Sequence, residues 1–229
     1  MQFSLKTILC LLMLFLSTSA NAKNQYCRAN GDHYEIIYLV QKGVSESELN
    51  SHKSALRSVV EGFNVGDKVD FSILTKNGRE TILSTCRPGC PETSGLDQIF
   101  GLGDCAAQIA KKDQNNFDRK IPISFSKYLS VAQSADKGVG DIFQALSAIS
   151  RSSTSSANKK VILSSLLPNM EKSEISSSSM DEVFVRSVQE NKIPEKMPDF
   201  VYTGVIQNSN LIKFWKDIFL VRGQEFQTR

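Results

Sequence analysis

Apolar positions along this chain follow two rhythms: short near-continuous runs, and longer stretches with apolar residues three or four apart. Tyr34 to Val40 (Tyr-Glu-Ile-Ile-Tyr-Leu-Val) is of the first kind and predicts a central strand covered on both faces. Lys68 to Leu74 alternates, with Val69, Phe71 and Ile73 on one side and Asp70 and Ser72 on the other. Asn77-Gly78 follows, a strong hairpin turn signal, and Arg79 to Thr85 returns as the paired strand. Val161-Ile162-Leu163 predicts a further buried strand running toward Leu167, where Pro168 stops it, and Phe200 to Ile206 predicts another.

The second rhythm predicts helices. Ser45 with Glu48 three places on forms a capping box, in which each side chain serves the other residue's free backbone N–H. Leu49, Leu56, Val59, Val60 and Phe63 then share one helical face, with glycine at 62 to 66 available for a left-handed stop. Cys86 to Asp104 is punctuated by Pro and Gly and predicts irregular chain. Cys105 to Lys112 and Asn116 to Gln133 predict partial helix interrupted at Pro122. Further helices are expected over Asp136 to Ser150, Met180 to Glu190 and Leu211 to Val221. In the last, Phe214, Trp215 and Phe219 are read as core. Arg151 to Asn158 and Glu171 to Ser179 are Ser-rich and predict surface loops, and Gly223 onward reads as a polar tail.

Strands alternating with amphipathic helices predict an α/β fold: a doubly wound, mostly parallel sheet with one antiparallel strand and helices on both faces. Ligands of such folds sit at the carboxyl edge of the sheet. Here that edge comprises Gln41 to Ser47, Leu166 to Lys172 and Gln207 to Asn210. Gly43, Ser45, Glu46, Ser47, Ser165 and Asn169 are the candidate binding residues.

The amino terminus sets the compartment. Lys6, the apolar run Ile8 to Phe15 and the exit Ala20-Asn21-Ala22 predict a signal peptide over residues 1–22, cut after Ala22. About 207 of the 229 residues then remain, a size suited to one domain over 23–229. The net charge of +3 becomes +2, because Lys6 is the only charged residue removed. So mild a balance argues against nucleic acid as a partner, and no later apolar run is long enough to span a membrane. Cys27, Cys86, Cys90 and Cys105 remain, an even count that predicts two disulfides with three pairings open. Cys86 and Cys90 are spaced C-x3-C with no His nearby, which disfavours zinc, and no C-x-x-C supports thiol redox chemistry. The expected location is periplasmic or secreted.

Over residues 34 to 220 the pattern resembles the von Willebrand factor A domain, in a divergent bacterial exported form. The resemblance rests on the first strand, the helix after Ser45-Glu46-Ser47, the Asn77-Gly78 hairpin, Cys86-Arg87-Pro88-Gly89 after the third strand, and the strand Val161 to Ser165 with its loop. It implies a divalent-cation site built from D-x-S-x-S, a Thr from a later loop and an Asp after the fourth strand. Here Gly43 replaces the first Asp, and Ser164-Ser165-Leu166 stands where the second is expected. Two hydroxyls without a carboxylate hold a hydrated dication poorly, so neither metal nor cofactor is expected, and Ser45 is read first as a helix cap. The resemblance then implies a non-enzymatic module that binds a protein partner in the bacterial cell envelope, in a conjugation- or secretion-type assembly.

Two other readings use the same residues. An adhesin-like domain would hold Mg²⁺ through Ser45 and Ser47, with Glu46 or Glu171 substituting for the absent Asp. A serine hydrolase would use Ser45 in Gly43-Val44-Ser45-Glu46-Ser47, but Ser47 replaces the second Gly of G-x-S-x-G. His52, the only later histidine, lies on the helix that follows directly and cannot serve Ser45 as a separately placed base.

Overall fold

The computed structural model describes residues 26–90, 107–132, 138–153, 156–168, 170 and 172–228. In chain order these form β1 (His33–Leu39), α1 (Glu46–Glu61), β2 (Lys68–Thr75), β3 (Gly78–Cys86), α2 (Ala107–Ala132) and α3 (Ile142–Ser152). Then follow β4 (Lys159–Leu163), a 3₁₀ turn (Lys172–Glu174), α4 (Ser177–Gln189), β5 (Val201–Thr203), α5 (Ser209–Val221) and β6 (Gln227–Thr228). The six strands form one sheet in the order β3-β2-β1-β4-β5-β6. All pairings are parallel except β2 with β3, the hairpin closed at Asn77-Gly78. This is the α/β architecture that the alternating pattern predicts.

Side-chain alternation along β1 divides the core in two. Ile36, Tyr38 and Val40 face α1 and α2, packing with Leu49, Leu56, Phe117, Ile121 and Phe125. Ile37 and Leu39 face α3, α4 and α5, packing with Leu146, Met180, Trp215 and Phe219. The parallel β1 is thus covered on both sides, as its near-continuous apolar sequence requires. Glu35 breaks that run, and its carboxylate is fully buried. It accepts from Arg79 Nη2 at 2.8 Å and from Ser153 Oγ at 3.1 Å, while Arg79 also donates to Ser72 Oγ at 3.0 Å. A buried charge is tolerated here because the hairpin supplies its partner.

Several boundaries differ from expectation. Pro122 lies inside a continuous α2. It removes one N–H, but Phe117, Ile121 and Phe125 bury one stripe at i, i+4 and i+8, and that packing carries the helix through. Gly62 caps α1 at φ −78°, right-handed rather than left-handed. Helix α3 starts at Ile142, after the N-cap Asp141. Val139 lies ahead of it because its N–H donates to Val40 O at 2.8 Å and it bridges Gln41 at the end of β1. Strand β4 stops at Leu163 instead of running toward Leu167, and Leu166 adopts φ +54°. Strand β5 covers three residues of the expected seven, ending at Gly204 with φ +72°. Within the second Ser-rich stretch, Lys172–Glu174 forms a turn and α4 begins at Ser177 behind its N-cap Ser176. The polar tail is not free chain: Phe226 packs 5.2 Å from both Tyr202 and Phe219, and carries Gln227–Thr228 into the sheet as β6.

Cys27 and Cys86 form a disulfide with Cα atoms 5.2 Å apart, and Cys90 is also disulfide-bonded. Cys105, Asn169, Glu171 and the expected signal peptide lie outside the described residues. No described helix is long and apolar enough to cross a membrane.

Candidate functional site

The carboxyl edge of the sheet is built by three turns, one after each of β1, β4 and β5. The first begins at Gln41. Gly43 at φ +71° turns the chain, with open space where a Cβ would stand, so the glycine meets a backbone need and not a steric one. Ser45 then caps α1. Its Oγ accepts from Glu48 N at 3.3 Å and donates to Glu48 Oε2 at 2.6 Å, and its own N–H donates to the same carboxylate oxygen at 2.8 Å. Ser47 Oγ lies 3.0 Å from Ser45 Oγ. Ser45, Glu46 and Ser47 are solvent-exposed, whereas Glu48 is buried.

The second turn is locked from inside. Gln41 Oε1 accepts from Ser164 Oγ at 2.9 Å and Leu167 N at 3.1 Å, and its amide donates to Leu167 O at 2.7 Å. Leu166 N donates to Ser164 Oγ at 3.1 Å, and Leu166 O accepts from Trp215 Nε1 at 2.8 Å. These bonds hold Leu166 in its left-handed conformation, which an isolated leucine avoids.

Ser165 turns to the α1 side and meets His52, its Oγ 3.1 Å from Nε2. The other ring nitrogen lies 3.4 Å from the Tyr38 hydroxyl. Gly204 makes room for the ring: a Cβ there would stand 2.7 Å from His52 Cδ2. Burial lowers the His52 pKa to about 4, against a smaller upward pull from Glu48 and the Gly204 backbone. Burial also raises the Tyr38 pKa, with Glu48 adding to the rise. At neutral pH the edge is therefore underpinned by a neutral imidazole between two neutral hydroxyls. A hydroxyl beside an imidazole has the composition of a nucleophile and its base. Here both side chains are 1% exposed, so no substrate reaches them. The pairing was not legible in the sequence, since 113 residues separate the partners.

The candidate residues thus divide. Gly43, Ser45, Glu46 and Ser47 lie together on the surface of the first turn, and Ser165 is buried below. The cation set implied by the family resemblance fails on these positions. Gly43 offers no donor, Ser164 and Ser165 are committed to Gln41 and His52, and the Glu48 oxygen nearest the serines already accepts two hydrogen bonds. No cluster of three His, Cys, Asp or Glu side chains suited to a metal occurs among the described residues. Beside the first turn lies an open groove of about 420 Å³, lined by Gln41, Lys42, Gly43, Val139, Leu167 and Met170 among others. Neither models of known protein families nor curated protein sequences match the chain.

Proposed function

We propose that this chain is an exported, non-enzymatic binding module of the bacterial cell envelope. In this reading it is a von Willebrand A-like domain whose cation site has decayed and which docks a protein partner at the carboxyl edge of its sheet. One observation carries the reading. Among the described residues, the polar groups beneath that edge satisfy one another internally except for one buried oxygen of Glu48, while the rim presents exposed hydroxyls, Lys42, Glu46, Glu174 and an open groove. An edge that, among the described residues, holds no accessible nucleophile–base pair and no acidic cluster suits recognition better than chemistry. The disulfides support an oxidising, exported setting. A conjugation- or secretion-type assembly is the proposed context, by analogy with the resembled family.

The test is capture from envelope extracts on the immobilised mature protein, compared with variants. Lys42→Glu and Met170→Glu alter the groove, and Lys216→Glu alters the exposed face of α5. The reading expects one protein retained by the wild type and by Lys216→Glu, and lost with both groove variants. Retention indifferent to the groove, or repeated absence of any captured protein, would overturn it.

A further inference from the structure

A second concavity lies at the other end of α1, away from the carboxyl edge. It is a groove of about 550 Å³ between α1 and α2. Leu56, Val60, Ile121, Pro122 and Phe125 form its apolar floor, where the core residues Leu56, Ile121 and Phe125 come nearest the surface, and its volume is in the range of small-molecule sites. Lys53 and Arg57 stand exposed on one rim, and Glu61 and Asp118 also border it.

Arg87 distinguishes this groove from an ordinary gap between helices. Its backbone is fixed on three sides: Cys86 before it is tied to Cys27, its N–H donates to Asp67 O at 2.8 Å, and its carbonyl accepts from Gly66 N at 2.9 Å. Its side chain is only 16% exposed. Nη1 donates to Phe63 O, Nη2 lies a loose 3.9 Å from Asp118 Oδ1, and Nε is buried with no hydrogen-bond partner. A buried guanidinium donor without an acceptor is costly, and the Nε–Nη2 side of an arginine can donate to both oxygens of one carboxylate once a small side-chain shift opens Nε to the groove. An apolar trough beside a preorganised, under-satisfied arginine describes a receptor for a molecule with one apolar chain and one anionic end.

We propose that the α1–α2 groove binds a free single-chain carboxylate amphiphile, its chain along Leu56, Val60, Ile121 and Phe125 and its carboxylate on Arg87. The site is separate from the carboxyl edge and does not depend on the function proposed above.

Isothermal titration of the mature, oxidised protein tests it, with dodecanoate kept below micelle formation as the probe. Acetate, dodecanol, dodecylamine and vesicles of anionic phospholipid serve as comparisons. The proposal expects one saturable site for dodecanoate, with each soluble comparison ligand weaker by roughly tenfold or more, the scale of one charge-assisted hydrogen bond. Arg87→Gln should weaken dodecanoate by a similar factor. Arg57→Glu changes only an exposed rim residue, so it should fold normally and still weaken binding by a smaller factor. Equal binding of dodecanol or dodecylamine, no saturation by dodecanoate, or a signal with vesicles alone would each overturn the proposal. So would unchanged affinity in folded Arg87→Gln, or in Arg57→Glu where Arg87→Gln does not fold.

Discussion

Ser165 Oγ and His52 Nε2 lie 3.1 Å apart, both side chains almost wholly withdrawn from solvent. The pair joins the end of β4 to the middle of α1 beneath the surface where Ser45 and Ser47 are displayed. It places a titratable ring where charge is unwelcome, and the stability of the fold should report this.

The folded-state pKa of His52, about 4, lies below its ordinary value of 6.5. The unfolded chain therefore binds a proton in a range where the folded chain does not. The stabilisation is fully present above pH 6.5 and is lost as pH falls toward 4, approaching about 3 kcal/mol. Urea unfolding between pH 4 and 7 should show this slope, and His52→Gln should flatten it. An identical slope in the variant would assign it to other groups.

Gly204 sets the space that His52 occupies. Gly204→Ala adds a methyl 2.7 Å from the imidazole at a backbone φ of +72°. A loss of about 2–3 kcal/mol is expected from clash and left-handed strain together. Combining it with His52→Ala should cost less than the sum of the two single changes, measurable as a double-mutant cycle of melting temperatures.

The Glu35–Arg79 pair ties the hairpin to β1 and the end of α3. Arg79→Met leaves the fully buried carboxylate without its cation, and about 3–5 kcal/mol should be lost. Replacing both residues with apolar side chains should recover much of that loss, because the cost lies in the stranded charge and not in the missing contact.

Ser45 acts as a cap. Ser45→Ala should lower stability by about 1 kcal/mol, and Ser45→Thr, which keeps the hydroxyl that donates to Glu48, should restore most of it. A fluorophosphonate probe should leave both Ser45 and Ser165 unlabelled, and Mg²⁺ should leave the melting temperature unchanged. Labelling of either serine would favour the hydrolase reading. A rise in melting temperature reversed by chelator would favour the adhesin-like one.

Opening the Cys27–Cys86 link frees a chain segment of 59 residues in the unfolded state, so the Cys27→Ser, Cys86→Ser double variant should lose about 3–4 kcal/mol. Mass spectrometry of unreduced protein should find the two cysteines in one linked peptide pair.

Local rules carried much of the fold into the sequence. The Asn77-Gly78 turn, the capping box at Ser45 and the alternation through Lys68 to Leu74 each depend on neighbours a few residues away, and each stands in the structure where the pattern predicts it. The strand–helix alternation likewise dictated a mostly parallel, doubly covered sheet. The tertiary structure decided what depends on distant partners. Pro122 reads as a break until the buried stripe of α2 outweighs one missing hydrogen bond. The final residues read as a tail until Phe226 finds Tyr202 and Phe219. His52 reads as a helix residue unable to serve Ser45 as a base, and only folding sets it against Ser165 and Gly204, because burial and hydrogen-bond partnership are properties of the packed chain and carry no local signature.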